Sequence, residues 1–114
     1  MSKWYWRDGT IAMEDDISKI GSKDWLEEMG KIEEKLSDRD YKVVEQTKLK
    51  NGYFVSTVWL GLDHAIYGDK PAIFETMVFS DKGEIGEDED MMRYSTEKEA
   101  IRGHKRMVAK WKKK

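Results

Sequence analysis

The sequence predicts an α+β fold in which a mainly antiparallel sheet of about four or five strands has two helices packed on one face. Three observations lead there. Residues 41–79, YKVVEQTKLKNGYFVSTVWLGLDHAIYGDKPAIFETMVF, hold three runs of period-two alternation rich in β-branched and aromatic side chains. Asn51-Gly52, between the first two runs, is a dipeptide that tight hairpins favour, because glycine tolerates the positive φ such turns require. Residues 23–36 and 97–112 place apolar side chains three and four apart, each behind a serine or threonine suited to capping a helix.

Taken in order, residues 3–13 read as a short hairpin. Trp4 and Trp6 alternate with Tyr5, Arg7-Asp8-Gly9 turns the chain, and residues 10–12 pair back. A weak helical tendency over 14–21 is interrupted by Gly21. Ser22 then caps a first long helix over 23–36, with Asp24 and Glu27 near the positive end of its dipole and Trp25, Met29, Ile32 and Leu36 as its apolar stripe. The run SDRD at 37–40 ends it.

Strands are expected at 41–49, 53–60 and 72–79. In the second, Tyr53, Val55, Thr57 and Trp59 take one face and Phe54, Ser56, Val58 and Leu60 the other, so neither face is wholly polar and the strand belongs in the middle of the sheet. The third sets Glu75 among Ile73, Met77 and Phe79, a carboxylate on an otherwise apolar face, and Pro71 sits where a strand can begin. Residues 81–90 read as a charged, solvated loop. Arg93-Tyr94 rejoins the sheet briefly, and Thr96 with Glu99 forms a capping box for a second helix whose inner face is Ala100, Ile101, His104, Met107, Val108 and Trp111.

Composition narrows the function. Residues 1–114 form one domain by length, and a chain of this size buries roughly two-thirds of the surface it exposes unfolded. Charged residues reach 39%, so the 5 Trp, 5 Tyr and 3 Phe must supply much of the core. A net charge of −2 predicts neither general nucleic-acid binding nor the acidity of a DNA mimic, yet the charge is unevenly spread, with an acidic block at 84–90 and a basic tail at 105–114. The lack of cysteine excludes disulfides, thiolate catalysis and cysteine-bound metals. No stretch is long and apolar enough for a membrane span, and MSKWYWRDGT lacks the centre of a signal peptide, so a soluble cytoplasmic protein without a membrane partner is expected. There is no P-loop, GxGxxG, nucleophile elbow or EF-hand spacing.

The motifs VSTVWLGLDH at 55–64, IFETMVF at 73–79 and RYST at 93–96, followed by Gly103-His104, resemble a family of small uncharacterised proteins common in bacteriophage genomes and prophages. The likeness covers most of the chain from Asp40 onward. It implies a phage origin and a place in the host cell, and it brings no activity, cofactor or site residue with it. Residues 11–22 look like an insertion relative to that family, the loop after His64 reads AIYGDKP in place of a glycine-rich run, and the basic tail is longer.

Five side chains are the weak candidates for catalysis: Asp63, His64, Glu75, Arg93 and His104. Asp63 and His64 follow a central strand, where function is often mounted on a loop, and with Glu75 and His104 they would make a metal or acid/base cluster. The structural alternative has Asp63 capping a turn, His64 bonding to loop backbone, His104 at the edge of the core and Glu75 facing solvent, whereas a Glu75–Arg93 charge pair across the sheet would mark a polar pocket. Gly103 beside His104 suggests close packing of the helix on a strand. Ile66 and Tyr67 add apolar surface to the loop 61–70, so Asp63, His64, Ile66 and Tyr67 form the expected binding site for a protein.

Three functions stay open. The first is a phage-encoded accessory protein that binds a host or phage protein, in counter-defence or host takeover, with no enzymatic role and no cofactor or metal. The second is a nucleic-acid-associated protein whose basic tail binds weakly through phosphate neutralisation, with Trp111 stacking on bases. The third is a small metal-dependent hydrolase or nuclease.

Overall fold

The computed structural model describes residues 3–14, 16–65, 68–80 and 90–114. Strands β1 (Lys3–Tyr5) and β2 (Ile11–Glu14) form an antiparallel hairpin. A single 3₁₀ turn at Ile17–Lys19 leads to helix α1 (Lys23–Ser37) and the short helix α2 (Arg39–Lys42). Strands β3 (Val43–Lys48), β4 (Tyr53–Trp59), β5 (Phe74–Ser80) and β6 (Met91–Tyr94) follow, with helix α3 (Glu97–Trp111) last. The four long-sheet strands lie in chain order, all antiparallel, so β4 and β5 are central.

Local chemistry accounts for these boundaries. The Ser22 hydroxyl accepts from the Trp25 N–H and caps α1, while the Thr96 hydroxyl accepts from the Glu99 N–H and donates to the Glu99 carboxylate at the start of α3. SDRD ends α1 as expected, but Asp38 then caps a new turn, accepting from the N–H groups of Asp40 and Tyr41. That cap draws Tyr41 and Lys42 into α2 and delays β3 to Val43. At the central hairpin the closing pair is Leu49 with Tyr53, joined by a 2.8 Å bond from the Leu49 N–H to the Tyr53 carbonyl. The loop therefore has three residues and carries Gly52 in the left-handed region at φ 93°.

The expectation that two helices cover one face needs correction. Among the described helices, only α3 lies across all four strands of the sheet. It buries Ala100, Gly103, His104, Met107 and Trp111 against the face that bears Val55, Thr57, Trp59, Phe74, Thr76 and Val78. Helix α1 uses the foreseen stripe of Trp25, Met29, Ile32 and Leu36, yet it packs on β2 and α2, and only Leu36 is placed against the core around Trp59. The missing support comes from the hairpin β1–β2, which closes the end of that face. Trp59 is fully buried, stacks on Trp6, meets Tyr41 edge-on and donates its indole N–H to the Tyr5 carbonyl at 2.9 Å.

Gly103 is required by a close approach. A Cβ there would sit 2.1 Å from the Tyr94 hydroxyl oxygen and 2.2 Å from the ring carbon bearing it. The aromatic ring of β6 thus rests on the bare backbone of α3, and the packing expected of this glycine is what the chain uses.

Candidate functional site

The five candidate catalytic residues go to three separate places. Asp63 and His64 stay with their own loop. The Asp63 carboxylate accepts from the N–H groups of Ala65 and Ala72, both at 2.8 Å, and its own N–H donates to the Lys3 carbonyl. His64 Nδ1 lies 2.7 Å from the Leu62 carbonyl oxygen, so this nitrogen carries the proton and donates. Both side chains brace the loop internally, and the Asp63 backbone N–H ties it to the hairpin. Ile66 and Tyr67 lie outside the described residues.

Glu75 and Arg93 are directly cross-strand, and the guanidinium Nε donates to the carboxylate at 3.0 Å. They lie on the sheet face away from α3. Alternation and register put Phe54, Val58, Met77, Phe79 and Met91 on that same face, with Gln46, Lys48 and Ser56. Phe54, Val58, Met77 and Phe79 are half-buried and Met91 is exposed. The Gln46 amide here donates to Ser56 at 3.1 Å and accepts from Arg39, while Lys48 is exposed at the sheet edge. The result is an apolar surface whose charged pair sits at one end and whose two phenylalanine rings, 6.2 Å apart, sit at the other.

His104 projects from α3 onto the opposite face of the sheet and is fully buried there. Its Nε2 lies 2.8 Å from the Thr47 hydroxyl and 3.2 Å from a Glu45 carboxylate oxygen, and its Nδ1 lies 2.7 Å from the Thr57 hydroxyl, itself 2.5 Å from that of Thr76. Burial lowers the His104 pKa below its ordinary value, with the Glu45 carboxylate opposing that shift, so the ring is neutral near pH 7. A neutral ring has one N–H, and an ionised carboxylate can only accept, so the proton is on Nε2. Nδ1 must then accept from Thr57, whose oxygen accepts from Thr76. Hydroxyl, imidazole and carboxylate occur in the order of a nucleophile, base and orienting acid. Burial decides against that use, because Thr57 and Thr76 are both 0% exposed and no substrate carbonyl can reach them.

Sequence reasoning picked out His104 and missed its partners. Thr47, Thr57 and Thr76 stand at alternating positions on the helix-covered face of three neighbouring strands, but the β4–β5 register that makes Thr57 meet Thr76 is set across a long connection rather than a tight turn. A second oversight is Asn51, whose side-chain amide donates to the Trp111 carbonyl at 2.8 Å and so ties the hairpin loop to the end of α3. The Trp111 ring is buried, edge-on to Tyr53, and its N–H donates to Asp90. It is not free to stack on a base, which removes half of the nucleic-acid mechanism expected for the tail.

A cleft of about 470 Å³ opens between the first hairpin and the start of α3, lined by Arg7, Tyr41, Ser95, Thr96 and Glu97. Its one cation is spent. The Arg7 guanidinium pairs with Glu97 and donates to the Tyr41 carbonyl, leaving little charge for an anionic ligand. Among the described residues no three His, Asp or Glu side chains are placed to hold a metal ion, and no helix is long and apolar enough to cross a membrane. No protein family, curated protein or solved structure matches the chain.

Proposed function

We propose that this chain is a phage-encoded accessory protein that acts in the host cytoplasm by binding another protein, in host takeover or counter-defence, and that the partner's apolar surface docks on the sheet face that no described helix covers. The observation that carries the reading is that face itself: Phe54, Val58, Met77, Phe79 and Met91 form an apolar surface over the three strands β4, β5 and β6, Gln46, Ser56, Glu75 and Arg93 on it are already paired, and Lys48 is exposed on the edge strand β3. An apolar partner that stops short of the exposed Lys48 covers these groups without leaving an unpaired charge, and the desolvation of the Glu75–Arg93 pair is the main polar cost. The phage-family resemblance supplies the biological setting. The dispersal of Asp63, His64, Glu75, Arg93 and His104 supports a binding role over a hydrolytic one.

Four strands at ~4.8 Å and about six residues of length offer roughly 400 Å² on this face, which places the complex in the small, transient class. Affinity capture from infected cells tests the reading. A Phe79→Ser/Met91→Glu variant should lose the specific partner by about tenfold or more while remaining folded. Parallel capture with Ile66→Ser/Tyr67→Ser asks whether the loop contributes. Loss of the partner only in the loop variant moves the interface to residues 61–70, and undiminished capture by both variants refutes the protein-binding surface proposed here.

A further inference from the structure

The exposed side of α3 carries charge in a pattern that its fold does not use. Opposite the buried Ala100, Gly103, Met107 and Trp111, the outward line of the helix reads Lys98, Arg102, Lys105, Ala109 and Lys112, with Arg106 and Lys113 beside it. Over 97–114 there are eight Lys or Arg against two carboxylates, Glu97 and Glu99, and both of these are engaged, by Arg7 and by Thr96. Helix α1 shows how this chain solvates a helix otherwise: Lys23, Lys31 and Lys35 are interspersed with Asp24, Glu27, Glu28, Glu33 and Glu34. Like charges four residues apart on a helix cost about 0.2–0.5 kcal/mol each, and α3 holds Lys98 with Arg102, Arg102 with Arg106, and Arg106 with Lys110 in that relation. Among the described residues only Lys110 has a carboxylate to relieve it, Asp90.

We propose that this face of α3 binds the phosphodiester backbone of nucleic acid, without reading bases. Two features favour nucleic acid over an acidic protein. The cations follow one line for about 21 Å at close to one per helical turn of ~5.4 Å, which suits a regularly charged strand. The line itself carries no exposed apolar or aromatic side chain beyond Ala109, since Met107 and Trp111 point inward, and Met92, the exposed apolar side chain nearby, lies off the line beside Arg106 and Lys110, which leaves a protein partner a single small anchor. With no ring available for stacking, affinity comes from counterion release alone and is independent of sequence. This surface lies on the side of the molecule away from the uncovered sheet face, so it stands or falls separately from the protein-binding reading.

The test is fluorescence anisotropy with a labelled 20-nucleotide oligothymidylate and full-length protein. Four phosphate contacts predict about a 50-fold loss of affinity between 50 and 200 mM salt. Arg102→Glu/Lys105→Glu should weaken binding at least tenfold at 50 mM salt, and Lys112→Glu/Lys113→Glu, beyond the buried part of the helix, should also weaken it. Lys23→Glu/Lys31→Glu makes the same change of net charge on α1 and should shift affinity by less than threefold. Equal weakening by the α1 and α3 variants would mean that net charge alone attracts the strand and would overturn the site. A flat salt dependence, no binding at 100 μM protein, or displacement by polyglutamate as readily as by unlabelled oligonucleotide would overturn it too.

Discussion

On the face beneath α3, Thr57 and Thr76 are fully buried and bonded in series to His104; one residue along the same strands, Ser56 and Glu75 find partners on a face that no described helix covers. Both faces therefore mix apolar side chains with satisfied polar ones, and the strands that build them are identical. What differs is the cover. Under α3 the polar atoms depend on their protein partners, because water cannot replace them, whereas on the open face the partly exposed Glu75 and Arg93 can turn to water. The closed face should thus carry the stability of the protein and the open face its interactions.

The strongest way to break that contrast is at Trp59, which joins the sheet to Trp6, Tyr41 and Tyr5. Trp59→Ala removes a fully buried indole and its bond to the Tyr5 carbonyl, and should cost about 3–5 kcal/mol, enough to unfold much of a domain of this size. Chemical denaturation would measure it. A loss below about 1 kcal/mol would mean that the hairpin is not part of the core.

Gly103→Ala should come next, at about 1–3 kcal/mol, although alanine favours helices. The added methyl would overlap the buried Tyr94 ring, and the cavity of about 220 Å³ that Tyr94 and Gly103 line sets how far the ring can shift to relieve it. A companion Tyr94→Leu substitution should recover part of the loss, and additivity of the two changes would show that they do not touch.

These two sites also mark how far the sequence could be read. Trp59, the stripe of α1, the capping box of α3 and the packing role of Gly103 were all legible, because each rests on spacing within about one turn or one strand. The identity of Gly103's partner was not, since Tyr94 reaches it only through the β5–β6 pairing. The position of α1 failed for the same reason: its apolar stripe says that one side is buried, and nothing in the stripe says whether a sheet or a hairpin buries it. Among the candidate site residues, the Glu75–Arg93 pair was one of two readings their strands allowed, while the threonine chain around His104 needed two strand registers and the docking of α3 at once. Ile66 and Tyr67 lie outside the described residues and stay an expectation.

His104 gives the contrast a pH dependence. Its folded-state pKa is depressed by burial below the 6.5 of an unperturbed histidine, so below that pH the unfolded chain binds more protons than the folded one. The stabilisation from keeping the ring neutral is fully present above about pH 6.5 and declines as the pH falls from there toward the folded pKa. Urea titrations between pH 7.5 and 5 should show that decline in the parent and a shallower one in His104→Gln. An equal slope in both proteins would exclude the buried imidazole as its source.

The smallest effect is expected where the open face looks most strongly bonded. Glu75 and Arg93 make a 3.0 Å contact, but the arginine side chain is 35% exposed and its partner 12%, so solvent screens the pair and each side chain can be rehydrated when the other is lost. Glu75→Gln, which keeps the size of the side chain and one acceptor, should change stability by less than about 1 kcal/mol, as should Arg93→Gln. The coupling between them in a double-mutant cycle should fall further in 1 M salt, where the Debye length is about 3 Å. If the cycle instead returns about 3 kcal/mol and ignores salt, the pair behaves as a buried one, the open face is covered in solution, and a second copy of the chain becomes the first cover to look for by sedimentation.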